Sequence, residues 1–121
     1  MQNNRAANGS GSDAVGKSQS WIENIPSSNR IYLLNILIVE FNSNIQSLNA
    51  NDENDANVGR ITHRIKGAAL MLQLNDILAV VDEIGKYLNA PDKLSMLIKF
   101  LQQELQLAIK QAERWLMMNG L

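Results

Sequence analysis

The chain has 121 residues, a formal net charge of -1 from 11 basic and 12 acidic side chains, and no cysteine. That length suits one small domain with a single core. The balanced charge offers no electrostatic case for nucleic acid, and the missing cysteines exclude disulfides, thiolate chemistry and cysteine-ligated metal.

Residues 1 to 20, MQNNRAANGSGSDAVGKSQS, are rich in Asn, Gly and Ser and carry almost no bulky apolar side chain. Such a stretch cannot bury enough surface to order itself, so it is expected to be a tail or linker, with the domain over residues 21 to 119. It also lacks the apolar centre of a secretory signal. WIENI (21 to 25) predicts a short leading helix, broken off by Pro26, which with the two serines after it opens the next one.

Four longer helices follow. The first runs from about Asn29 to Asn49, with Leu34, Ile38, Phe41, Ile45 and Leu48 spaced 4, 3, 4, 3. Its stretch IYLLNILIV (31 to 39) is interrupted by Asn35 and ends at Glu40, roughly half the length a membrane span needs. The polar connection NANDENDAN (49 to 57) leads into a second helix from about Asp55 to Gln73, whose apolar stripe is Val58, Ile61, Ile65, Ala68 and Leu72. Asn75 is placed to cap a third helix carrying Ile77, Val80, Val81, Ile84 and Leu88. NAPD (89 to 92) ends it, and the fourth runs from near Pro91 to a cap at Asn119-Gly120, through Leu94, Ile98, Leu101, Leu105, Ala108, Ala112 and Trp115. Nothing reads as a strand. The expected fold is all-α, an antiparallel four-helix bundle with a short leading N-terminal helix.

GSDAVGKS (11 to 18) fits the phosphate-binding loop pattern through Gly11, Gly16, Lys17 and Ser18. That loop works only between a buried strand and a helix, and MQNNRAANGS cannot be a buried strand. A nucleotide hydrolase is therefore set aside. NGS (8 to 10) fits a glycosylation acceptor, with nothing else pointing to secretion.

The single histidine, His63, lies in ITHRIKGAALML (61 to 72). At about 100° per residue, with Ile61 at zero, the apolar stripe falls between about -20° and +60°, and His63 near 200° on the opposite face. Gly59 and Gly67 stand one turn to either side, Lys66 puts a cation on roughly the same face, and Arg60 and Arg64 flank it. Leu70 projects beside His63, and Met71 lies on its flank. An imidazole nitrogen that carries a lone pair is a nucleophile. A phosphoryl group carried there would need room, nearby positive charge and access for a partner, and this stretch supplies all three. An ordinary solvated histidine on a basic helix face has the same geometry. Metal binding falls short of a ligand set, and no second histidine can act as base.

THRIKGAALML resembles the signature of histidine-containing phosphotransfer (HPt) domains. That family's histidine, apolar residue, lysine, glycine, small residues and further apolar residue match His63, Ile65, Lys66, Gly67, Ala68, Ala69 and Leu72, and the likeness in helix order covers about residues 20 to 118. The resemblance implies that His63 accepts a phosphoryl group from the aspartate of a receiver domain in a hybrid sensor kinase and passes it to a response-regulator receiver. Lys66 would help neutralise the phosphoryl oxygens, and Gly67 would leave space for the receiver. It implies no kinase activity of its own and no cofactor. It also implies a cytoplasmic location with no direct membrane contact, either freestanding or as the C-terminal piece of a membrane-anchored sensor kinase; the linker and abrupt start favour the latter. A monomer is the simpler expectation from the balanced surface. The chain departs from the family at two places: Gln73 stands where a glycine is usual near the end of the motif helix, and Gly85 where many members carry a Gln or Glu that orients the imidazole. The missing orienting side chain keeps open a second reading, a helical docking module that binds a receiver or other partner without phosphate exchange.

Overall fold

The computed structural model describes residues 20–50 and 55–119, which are all-helical, with no strand among them. The elements are α1 (Ser20–Glu23), a 3-10 turn (Ser27–Asn29), α2 (Arg30–Ala50), α3 (Asp55–Leu72), α4 (Asn75–Lys86) and α5 (Pro91–Asn119). The tail over residues 1 to 20, GSDAVGKS and NGS included, lies outside the described residues apart from Ser20, which opens α1; so does the Gly120 cap.

The four long helices turn their apolar stripes inward. Leu34, Leu37, Phe41, Ile45 and Leu48 of α2 meet Val58, Ile61, Ile65, Ala69 and Leu72 of α3, Ile77, Val80, Val81 and Ile84 of α4, and Leu94, Leu101, Leu105, Ala108, Ile109 and Ala112 of α5 in one cluster. The principal helix contacts are α2 with α5, α3 with α4, α4 with α5, and α2 with α3. Among the described residues, no helix is long and apolar enough to cross a membrane.

The leading helix belongs to this core. Trp21, Ile22 and Ile25 are all buried, and Trp21 Nε1 donates to Gln111 Oε1 at 2.9 Å. Arg30, at the start of α2, donates through Nε to the Ile25 carbonyl (2.8 Å) and through Nη2 to the Glu23 carbonyl (3.0 Å), serving acceptors that the end of a short helix leaves open. The same guanidinium stands 5.9 Å from the centre of the Trp115 ring.

Two expectations are corrected. On α3 the predicted stripe included Ala68, but Ala69 is fully buried and Ala68 only half-buried. Thr62 is buried too. The inward face is thus rotated by about 30° from the apolar pattern, at 100° per residue. A hydroxyl can take that inward place because Thr62 Oγ1 bonds within its own helix, to the carbonyls of Val58 (2.9 Å) and Gly59 (3.1 Å).

The second correction is at the α3–α4 joint. Asn75 does not cap α4; it is the first helical residue, and Leu74 occupies the cap position with no side-chain cap bond. The joint is a Schellman turn. The Leu74 N–H donates to the Ala69 carbonyl (2.9 Å) and the Gln73 N–H to the Leu70 carbonyl (3.4 Å), with Gln73 at φ 59°. The Leu74 carbonyl then accepts the Leu78 N–H at 3.0 Å and starts α4. Leu74 is buried, and its apolar side chain seals the turn in a way an asparagine could not.

Candidate functional site

Helix α3 positions His63. Its neighbours Ile61 (5 % exposed) and Ile65 (0 % exposed) are locked into the core, so the helical turn sends residue 63 outward. His63 is exposed, and its ring nitrogens have no hydrogen-bond partner among the described residues. Gly59, Arg60, His63 and Arg64 line one open hollow. Arg60 donates through Nη2 to Asn57 Oδ1, which holds that guanidinium near the first turn of the helix. Arg64 is exposed and makes no ion pair or hydrogen bond among the described residues. The hollow therefore carries two guanidinium groups and an imidazole, and among the described residues no carboxylate lines it.

Lys66 is placed differently. Its Nζ lies 3.5 Å from Oδ1 of Asp82 on α4, in a pair whose side chains are 45 % and 60 % exposed. The lysine to which the HPt resemblance gives the phosphoryl oxygens is thus engaged with a neighbouring helix. Asp82 is the residue that sequence reasoning missed. Its position outside the α4 stripe of Ile77, Val80, Val81 and Ile84 marks it as outward, but its pairing depends on how α4 lies against α3.

The glycines of α3 and α4 answer to no packing neighbour among the described residues. A Cβ added at Gly59, Gly67 or Gly85 would meet no atom within 4 Å beyond its immediate surroundings. Glycine inside a helix costs about 1 kcal/mol relative to alanine, and internal packing does not require it here. Gly85 is exposed with open space over it, so it offers nothing to orient the imidazole. Leu70 (58 % exposed) and Met71 (68 % exposed) continue the outward surface of α3 beyond Gly67. The site is an accessible imidazole bordered by cations on one side, bare backbone beyond it, and an apolar shoulder further along. Among the described residues, no group of three or more His, Asp or Glu could hold a metal ion. Comparison with protein-family models, curated proteins and solved structures finds no match to this chain.

Proposed function

We propose that this chain is a histidine phosphotransfer module. His63 takes a phosphoryl group from a receiver-domain aspartate of a hybrid sensor kinase and returns it to the aspartate of a response-regulator receiver. One observation carries this reading: an exposed imidazole, without a partner among the described residues, shares an open hollow with Arg60 and Arg64. Anion-attracting groups around a free nucleophile are what phosphoryl capture needs. The likeness of THRIKGAALML to the HPt signature supports the same assignment.

In the transfer, a lone pair on one imidazole nitrogen attacks phosphorus. The N–P bond forms as the P–O bond to the receiver carboxylate breaks, and that carboxylate leaves with the bonding pair. The second transfer runs the same exchange in reverse onto another carboxylate. Arg60, Arg64 and Lys66 offset charge on the phosphoryl oxygens. Gly59 and Gly67 admit the receiver backbone, and Leu70 and Met71 provide apolar docking area. The module supplies no kinase step and works in the cytoplasm with its receivers.

The fold suited to this role is an antiparallel four-helix bundle with α1 leading. Support for opposite directions of α2 and α5 comes from Arg30 beside Trp115 at one end and from Gln102 Nε2 donating to Asn49 Oδ1 at 2.7 Å towards the other. The two-residue α3–α4 joint favours antiparallel neighbours as well.

A second reading, docking without phosphate exchange, is favoured by the open space over Gly85, which leaves the imidazole unoriented. Intact mass after incubation with phosphoramidate, run beside His63→Gln, separates the two. An acid-labile, alkali-stable phosphoryl adduct on the wild type alone upholds the carrier. A folded wild type that takes no phosphate from this donor or from phosphorylated receivers, yet binds receivers as tightly as the His63→Gln variant does, upholds docking.

A further inference from the structure

Lys66, three positions on from His63, is drawn onto α4 by Asp82, with 3.5 Å between Nζ and Oδ1. The pair is not needed to hold the helices together. Ile65 on α3 and Ile84 on α4 are fully buried, and the Schellman turn at Gln73 and Leu74 already fixes the joint. A solvent-exposed pair of this kind shifts an equilibrium only about 1.5- to 5-fold. It is weak enough to open when a phosphoryl group arrives and strong enough to be felt.

We infer that Asp82 is a positioning residue that competes with the phosphoryl group for Lys66 and so sets how readily His63 is charged, an inference that rests on the phosphocarrier reading. While His63 is bare, the carboxylate keeps the ammonium turned towards α4. When phosphate reaches the imidazole, its oxygens and Asp82 share one lysine. The carboxylate is not stranded when Lys66 leaves. Lys86, one turn further along α4, is held chiefly by Glu83 at 3.1 Å, and it also stands in the field of Asp82. The cations in the hollow are outside this competition: Arg60 is tied to Asn57, and Arg64 has no carboxylate partner among the described residues.

The test is the initial rate of adduct formation with phosphoramidate, followed by intact mass. In that reaction the imidazole lone pair forms the N–P bond while the donor's P–N bond breaks, releasing ammonia. Asp82→Asn is expected to raise the rate about 2- to 5-fold, the size of an exposed ion pair. Asp82→Glu is expected to restore a rate near that of the wild type. In a Lys66→Met background, Asp82→Asn is expected to change nothing, because the competition is for that lysine. A wild type that charges normally beside an Asp82→Asn variant of unchanged or lower rate overturns this inference alone. A rise that persists without Lys66 also overturns it, since general field effects would then suffice. No adduct on the wild type removes the phosphocarrier reading and this inference with it.

Discussion

The indole Nε1 of Trp21 donates to Oε1 of Gln111 at 2.9 Å, across ninety positions of sequence and inside the core. The amide's other end, Nε2, is buried without a partner among the described residues. Removing one side of such a bond strands the other, which costs about 1–3 kcal/mol, whereas removing both is far milder. Trp21→Phe and Gln111→Met are therefore each expected to destabilise the fold, with the double variant less destabilised than their sum by about 1 kcal/mol or more. Urea unfolding of the four proteins measures this coupling. Simple additivity would mean the bond contributes little.

Gly67→Ala separates stability from docking. With open space over Gly67, the methyl group is expected to stabilise the helix by about 0.5–1 kcal/mol. On the proposed phosphocarrier role, charging by a small donor should survive, while transfer from a receiver domain should slow, because the methyl group would stand where that domain is proposed to approach. Thermal unfolding and receiver transfer rates, measured on one preparation, check both halves. A more stable variant with unchanged receiver transfer would remove Gly67 from the interface.

Gln73 holds a left-handed backbone at φ 59°, a conformation that costs a side-chain-bearing residue about 1–2 kcal/mol and glycine almost nothing. Its Oε1 accepts from Asn24 Nδ2 at 3.3 Å, an exposed bond of small value that links the joint to the segment after α1. Relief of the backbone outweighs loss of that bond. Gln73→Gly is expected to raise stability by up to about 1 kcal/mol, and Gln73→Val, with its branched Cβ, to lower it. Denaturant midpoints with opposite signs for the two changes are the expected result; a loss for both would locate the value of Gln73 in its side chain.

Glu104 links stability to pH. Burial first, and the Asp76 carboxylate second, push its carboxyl above the ordinary value of 4.5. A carboxyl raised in the folded state holds its proton more tightly there than in the unfolded chain. Its contribution is thus present in acid and is lost as pH rises from the ordinary carboxylate range through the raised value. Glu104→Gln is expected to be more stable than the wild type at neutral pH, with the advantage shrinking in acid. Urea midpoints taken across the acidic range read this directly. A variant less stable at neutral pH would reverse the sign.

The helices were legible because core side chains recur at intervals of 3 and 4, and that phase alone turned His63 outward. The same periodicity placed Ala68 inside, since apolarity cannot reveal that Thr62 satisfies its hydroxyl within its own helix and rotates the buried face. Gln111 was passed over for a related reason: beside Ala108 and Ala112 it breaks the apolar pattern, and only a distant tryptophan explains its burial. Asp82 depends on the register between two helices, which no single-helix pattern contains. The αL turn was signalled only indirectly, by Gln73 standing where the resembling family favours glycine.

The short α3–α4 joint has a consequence for the order of folding. His63, Lys66 and Asp82 all belong to one hairpin of consecutive helices, closed by a turn of two residues. Contacts between near neighbours in sequence lose little chain entropy on forming, whereas the Trp21–Gln111 closure spans ninety positions. The hairpin that carries His63 is expected to assemble ahead of the α1–α5 clasp. Substitutions at Ile65 or Ile84 should slow refolding in stopped-flow experiments, and substitutions at Trp21 should mainly speed unfolding.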